Sequence, residues 1–426
     1  MLEQPHFGRQ LRRLRLERGL SQAAVVGEGM STGYLSRLES GERRPTARVV
    51  GYLAQQLGVD VRALTEPRAA GCLSQALAAA ASAPPGTDCA TELLRAVRDD
   101  ARDDPAGRWQ ALWLLGRISN RHGDYEQERG HLLELIELSD LIGAPELRVR
   151  SNVRYARCLC ALGDMRAAEP PAATALAVAH GAHLPAADTL AALTALISVE
   201  TELGRLDSAD RHVREMERDL LPAVAPSQAA EALWTASLVS DRQGDHAAAR
   251  SRLEAALGLL QGRDGPTLWT RLRTAASAAA LRMSPPRVEA AERWLGEAGV
   301  ILEVIGTPLQ LQELQALRAH LAFHTGRLDD ARALCQGLLS LGELRLPHGD
   351  RVRLAVLEGR LMIMDGRTEQ GIAALRRLGE QATEARNLDL ATHVWQSLAT
   401  TLADARAQDR VARAPYGSRP GPPGRR

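Results

Sequence analysis

Lysine is missing altogether: all 53 basic residues of the 426-residue chain are arginine, against 52 acids, for a formal net charge of +1. Codon bias in a GC-rich bacterial genome accounts for this, so the arginine excess by itself implies no function. Aromatic residues make up only 3% of the chain, and strand signals are nearly absent beyond residue 68. Ala, Leu and Arg dominate there, which is helical composition. No run of eighteen apolar residues and no charged-then-apolar start occurs, so neither export nor membrane insertion is expected. The five cysteines, Cys72, Cys89, Cys158, Cys160 and Cys335, form no CxxC pair. Their odd, scattered arrangement predicts reduced thiols in the cytoplasm. Cys158 and Cys160 lie two apart on a predicted helix and diverge, so they do not converge on a metal. A Walker loop, a dinucleotide glycine pattern, a nucleophile elbow and a Cys/His pair are all lacking. No catalytic residue, metal or cofactor is therefore expected, and an enzyme is not.

The charge that is present is unevenly placed. Residues 1–66 hold ten Arg against seven acids. Within them, apolar residues fall in four stripes at helical spacing: Phe7, Leu11 and Leu14; Val25 and Val26; Tyr34, Leu35 and Leu38; and Val49, Val50, Leu53 and Leu57. Gly19 ends the first helix, Ser21 caps the second, and Gly29-Met30-Ser31 turns into the third. Gly41 ends the third, and Pro45-Thr46 opens the next. Four or five short helices in so short a span predict a compact bundle of the kind that places one helix in the major groove.

Residues 7–65 resemble the phage-repressor (Xre-like) helix-turn-helix family. The likeness is carried by Leu20-Ser21-Gln22, Gly29-Met30-Ser31, Tyr34-Leu35-Ser36-Arg37-Leu38-Glu39-Ser40-Gly41, Pro45 and the run from Leu53 to Val59. One departure is a second helix that reads a residue short, with Gly27 and Gly29 where the family usually has Ala and longer polar residues. The resemblance implies a five-helix DNA-binding domain over residues 1–66. In it Gln22 would touch a phosphate and the third helix would read the groove, with Ser31, Thr32, Gly33, Ser36 and Arg37 on its outer side. Arg37 has the fork that suits guanine O6 and N7. Thr32 suits a thymine methyl or a phosphate, and Arg43 and Arg44 suit phosphates. The plainer alternative makes these ordinary surface arginines.

Beyond residue 67 a glycine-centred turn recurs about every forty residues, at Gly123, Gly163, Gly204, Gly244, Gly326 and Gly366. Met283-Ser284-Pro285-Pro286 stands in the one doubled gap, and Ala83-Pro84-Pro85-Gly86 one period before Gly123. A fixed period on this scale marks a solenoid of about seven to eight helical hairpins over residues 67–406, all-α throughout. Small residues seven before the turn (Gly116, Ala156, Ser237, Ser277, Ala319, Gly359, with Ile197 the exception) fit close helix pairing. So do those five after it (Ala168, Ala209, Ala249, Ala331). The pattern resembles tetratricopeptide repeats, best matched by Gly244–Ala249 with Leu253 and Ala256. Residues 407–426, basic and rich in Pro and Gly, read as a disordered tail that either grazes DNA or does nothing.

In such arrays the first helix of each hairpin lines a concave groove. Offsets from the turn glycines place Gln110, Trp113, Arg117, Asn120, Arg121, Arg150, Arg157, Glu231, Trp234, Asp241, Arg271, His320, Phe323, His324, Arg353 and Arg360 there. Tryptophan and arginine anchor peptide partners, and Asn120 suits an extended backbone. The tryptophans equally suit packing between helices. His320 and His324 have two-histidine metal spacing but no third ligand is evident. A helix-turn-helix head on such a body is similar to peptide-sensing quorum regulators and to regulators found beside actinobacterial secondary-metabolism genes. That likeness implies a cytoplasmic, homodimeric regulator that binds an inverted-repeat operator in double-stranded DNA. Its groove would take a peptide, small molecule or protein. The rival expectation is a tetratricopeptide scaffold that does not bind DNA.

Overall fold

The computed structural model describes residues 6–27, 30–61, 64, 72–84, 87–100, 104–260, 265–283 and 285–413. Every regular element among them is helical. Gly29, Pro85, Gly86, Ser284 and residues 414–426 lie outside the described residues, as does most of the span expected to hold a fifth short helix; Leu64, within that span, is buried. Contacts divide the chain into two units, Met1–Leu115 and Gly116–Arg426.

The first unit opens with α1 (His6–Glu17), α2 (Gln22–Val26), α3 (Thr32–Glu39) and α4 (Ala47–Leu57). Their apolar stripes meet in one core in which Leu11, Val25, Leu35, Leu38 and Leu53 are fully buried. Three of the four helices start on a side-chain cap. Ser21, Ser31 and Thr46 accept from the backbone N–H groups of Ala24, Tyr34 and Val49 at 3.1, 3.2 and 3.4 Å. The shortness of α2 has a visible cause: the Tyr52 hydroxyl donates to the Val26 carbonyl at 2.6 Å, taking an acceptor that a further turn would use. Gly8 lets α1 cross the end of α3, since a Cβ there would lie 2.3 Å from the Leu38 carbonyl oxygen. The pair α5 (Cys72–Ser82) and α6 (Ala90–Asp99) follows, and then α7 (Pro105–His122).

From Gly116 onward the chain runs as antiparallel pairs. The end of α7 leads to α8 (Tyr125–Ile142), followed by α9 (Pro145–Leu162) with α10 (Met165–Gly181), and α11 (Ala186–Glu202) with α12 (Leu206–Glu215). Next come α13 (Pro226–Arg242) with α14 (His246–Gly258), and α15 (Pro266–Arg282) with α16 (Val288–Ile305). The last pairs are α17 (Pro308–His324) with α18 (Leu328–Leu339), and α19 (His348–Met364) with α20 (Thr368–Glu384), closed by α21 (Leu388–Arg413). The final helix therefore runs past residue 407, where the sequence predicts a tail.

The six turn glycines have φ between +74° and +90°, which lets the next N–H reach back five residues, as from Asp164 to the Leu159 carbonyl at 2.9 Å. At the proline-bearing turn the Arg287 N–H instead reaches the Ala280 carbonyl at 2.9 Å. The small residues before and after the turns are buried where helices pair. In α19 and α20 the approach is nearly backbone to backbone, with a Cβ at Gly371 falling 2.7 Å from the Gly359 carbonyl oxygen.

The array in this unit curls until its end meets its beginning. Arg345 Nη1 donates to the His122 carbonyl at 2.7 Å, and Cβ atoms at Gly163 and Gly204 would abut His348 and Leu388. Arg242 reaches Asp389, 147 residues away, at 2.5 Å. No helix among the described residues is long and apolar enough to cross a membrane.

Candidate nucleic-acid interface and inner face of the array

In α3 the apolar period turns Leu35 and Leu38 inward and leaves Ser31, Thr32, Gly33, Ser36 and Arg37 exposed along one side. Helix and flank are held by a buried network. The Glu39 carboxylate accepts from Arg15 Nε at 2.7 Å, Arg15 Nη2 at 3.0 Å and Gln22 Nε2 at 2.8 Å. Arg15 Nη1 also ties to the Leu20 carbonyl at 2.9 Å. Burial pushes the Glu39 carboxyl up, yet the hydrogen bonds from Arg15 and Gln22 outweigh it and hold it below the usual carboxylate range. Gln22, which the family resemblance assigns to a phosphate, is thus bound to Glu39 in this structure and locks α2 to α3. Arg37 lies along its own helix, with Nε 3.2 Å from the Gly33 carbonyl. The guanidinium of Arg43 lies 4.8 Å from the Tyr34 ring centre, and Arg44 is exposed.

The expected groove residues separate into two groups. Arg157, Glu231 and Arg271 come together: Arg271 pairs with Glu231 at 2.8 Å, and Arg157 faces both. His320 faces His324, Arg353 and Arg360, and Arg360 lies 4.3 Å from the Phe323 ring centre. The others have local partners. Trp113 stacks on Trp109 at 5.1 Å, and Trp234 packs between two clusters of the core. Asn120 donates to the buried Glu128 at 2.8 Å, and Arg150 pairs with Asp188 at 2.9 Å. Asp241 faces His246 across a turn at 3.0 Å. Gln110, Arg117 and Arg121 are exposed. No group of three His, Cys, Asp or Glu among the described residues could hold a metal ion.

Further charges face one another or these groups without being expected from the sequence: Glu202, Arg242, Arg282, Glu313, Asp350, Asp389 and His393. Arg242 and Glu202 stand two residues before a turn glycine, and Arg282 two before Ser284 of the proline-bearing turn. Glu313 stands thirteen before Gly326, so all four share offsets with residues that were selected. Asp389 and His393 sit on α21, which no turn glycine indexes. Burial, with Asp350 close by, pushes Glu313 up to about 7. Burial beside neighbouring bases pushes His320 and His393 each down to about 3.

The helix-turn-helix domain family matches residues 6–67. An uncharacterised HTH-type transcriptional regulator of Sinorhizobium fredii, y4dJ, is 46% identical over 61 residues, 14% of this chain and 79% of that protein. Among solved structures, a Rap protein complexed with competence and sporulation factor shares 11% identity at a TM-score of 0.47, over 94% of this chain and 99% of that one. Bacillus thuringiensis PlcR, in complex with the peptide PapR7 and DNA, shares 13% identity at a TM-score of 0.39, over 74% and 98%.

Proposed function

The chain belongs to the HTH-type transcriptional regulators, and we propose that it is an Xre-type, cytoplasmic, homodimeric regulator that reads an inverted-repeat operator and answers to a signal held on the inner face of its array. The observation that carries this reading is the outer side of α3, where Thr32, Gly33, Ser36 and Arg37 are all exposed opposite the buried Leu35 and Leu38. Small and polar residues there admit close approach to base edges, and Arg37 supplies the bidentate donor for guanine. Ser31 and Thr32 at the N-terminus of the helix, with Arg43 and Arg44 beyond it, suit phosphates and set the register. Gln22 does the same where it can leave Glu39. Two reading helices of a dimer must fall about one turn of DNA apart. A ligand on the inner face that favours one curvature of the array would alter that separation, which is a coupling between two sites.

The test is selection of duplex DNA from a random pool by the full-length protein, beside its Arg37→Ala variant. An enriched inverted repeat whose preferred guanine is lost in the variant supports the reading. No enrichment overturns it and favours a protein scaffold.

A further inference from the structure

Five helices of the array bring bases to one place on its inner face. Arg282 ends α15, and its Nε is buried with no hydrogen-bond partner. It faces Arg353 and Arg242, and also Asp389 and Asp350. Both acids are already engaged, Asp389 by Arg242 at 2.5 Å and Asp350 by Arg353 at 2.9 Å. Beside them His320 of α17 faces His393, His324, Arg353 and Arg360. His393 of α21 faces Arg353, Arg282, Arg242 and Arg360. Glu202 also faces this set, and burial pushes it toward its neutral form.

A guanidinium carries five donors and is costly to desolvate without an acceptor. No carboxylate among the described residues pairs with Arg282, and Asp389 and Asp350, which it faces, are held by other arginines. Resting on the proposed signal-binding role of the inner face, we propose that Arg282, Arg353, Arg360, His320 and His393 form the seat of an oxyanion, a carboxylate or phosphate group of the array's ligand. A planar oxyanion gives Arg282 the bidentate acceptor it lacks. Its charge also favours imidazolium over imidazole, so His320 and His393, neutral in the empty site, take up protons as it binds. Around it Asp350 holds Arg353, and Arg242 pairs with Asp389.

Titration calorimetry of the full chain in low-chloride buffer tests this, with inorganic phosphate and glutarate as separate probes. Saturable binding of either is expected, and which one binds more tightly identifies the source as phosphate or carboxylate. Glutarate is almost wholly dianionic at pH 7, so its binding heats there in two buffers of different ionisation enthalpy are expected to report proton uptake by the protein. Arg282→Gln is expected to weaken binding about tenfold or more, whereas Arg218→Gln, at the exposed pair with Asp219, leaves it unchanged. The proton readout is taken on the wild type, so it holds even where a variant folds poorly. Absence of saturable binding by both probes, or equal affinity in Arg282→Gln, overturns the proposal. Binding that leaves operator affinity unmoved supports the site and instead overturns its role as a sensor.

Discussion

The helix-turn-helix bundle and the inner face of the array treat charge in opposite ways. In the bundle the buried Arg15–Glu39 ion pair is saturated: Glu39 accepts from Arg15 and Gln22 and falls in pKa, while the side chains proposed to meet DNA stand exposed on α3. On the inner face, the Arg282 Nε is buried without an acceptor and Glu313, His320 and His393 are driven toward their neutral forms. Saturated charge specifies a structure, whereas unsaturated charge is a cost that a bound partner can remove. The bundle presents a finished surface; the array presents a vacancy in its electrostatics.

The sharpest break to that contrast is Glu39→Ala, which strands Arg15 in the core. A loss of about 3–5 kcal/mol from the bundle is expected, measured by chemical denaturation of the full chain, with the array's transition unmoved. Second is Arg37→Ala, exposed and outside the core. It is expected to leave stability alone and to remove about 1–3 kcal/mol of discrimination at one base pair, read from competition binding. Third is Glu313→Gln. The folded pKa of Glu313 lies above its unfolded value, so its contribution is present at low pH and is lost as pH rises through about 7. The variant is therefore expected to be more stable than wild type by about 1–2 kcal/mol at pH 8 and to converge with it below the ordinary carboxyl value, at about pH 4, as thermal melts at both values would report. Smallest is Arg150→Ala. Its partner Asp188 is engaged by a half-exposed guanidinium, and a change of at most about 0.5 kcal/mol is expected.

Legibility in the sequence follows the range of the interactions. The cap Ser21, the turn that ends at Ser31 and the chain reversals at Gly19 and Gly41 act within a few residues, and they stand where the sequence places them. The turn period likewise locates the helix pairs, because each glycine acts on its own hairpin. The Gln22–Glu39 contact spans seventeen residues and is not announced by either one. The inner face is harder still. Arg157, Glu231 and Arg271 share a face by local offset, but the meeting of Arg242 with Asp389 depends on rotation summed over several pairs. Composition says nothing of that sum. Asn120 and Trp113 have groove-like identity and offset, yet they find partners in their own pair or helix.

The most direct measurement is a salt-dependent titration of the selected operator and of a scrambled duplex with wild type, Arg37→Ala and Arg44→Ala. With α3 as the reading helix, Arg37→Ala collapses the ratio of the two affinities. Arg44→Ala lowers both affinities together and makes the salt slope shallower by about one. An unchanged ratio in Arg37→Ala would contradict the assignment of α3 as the element that reads DNA.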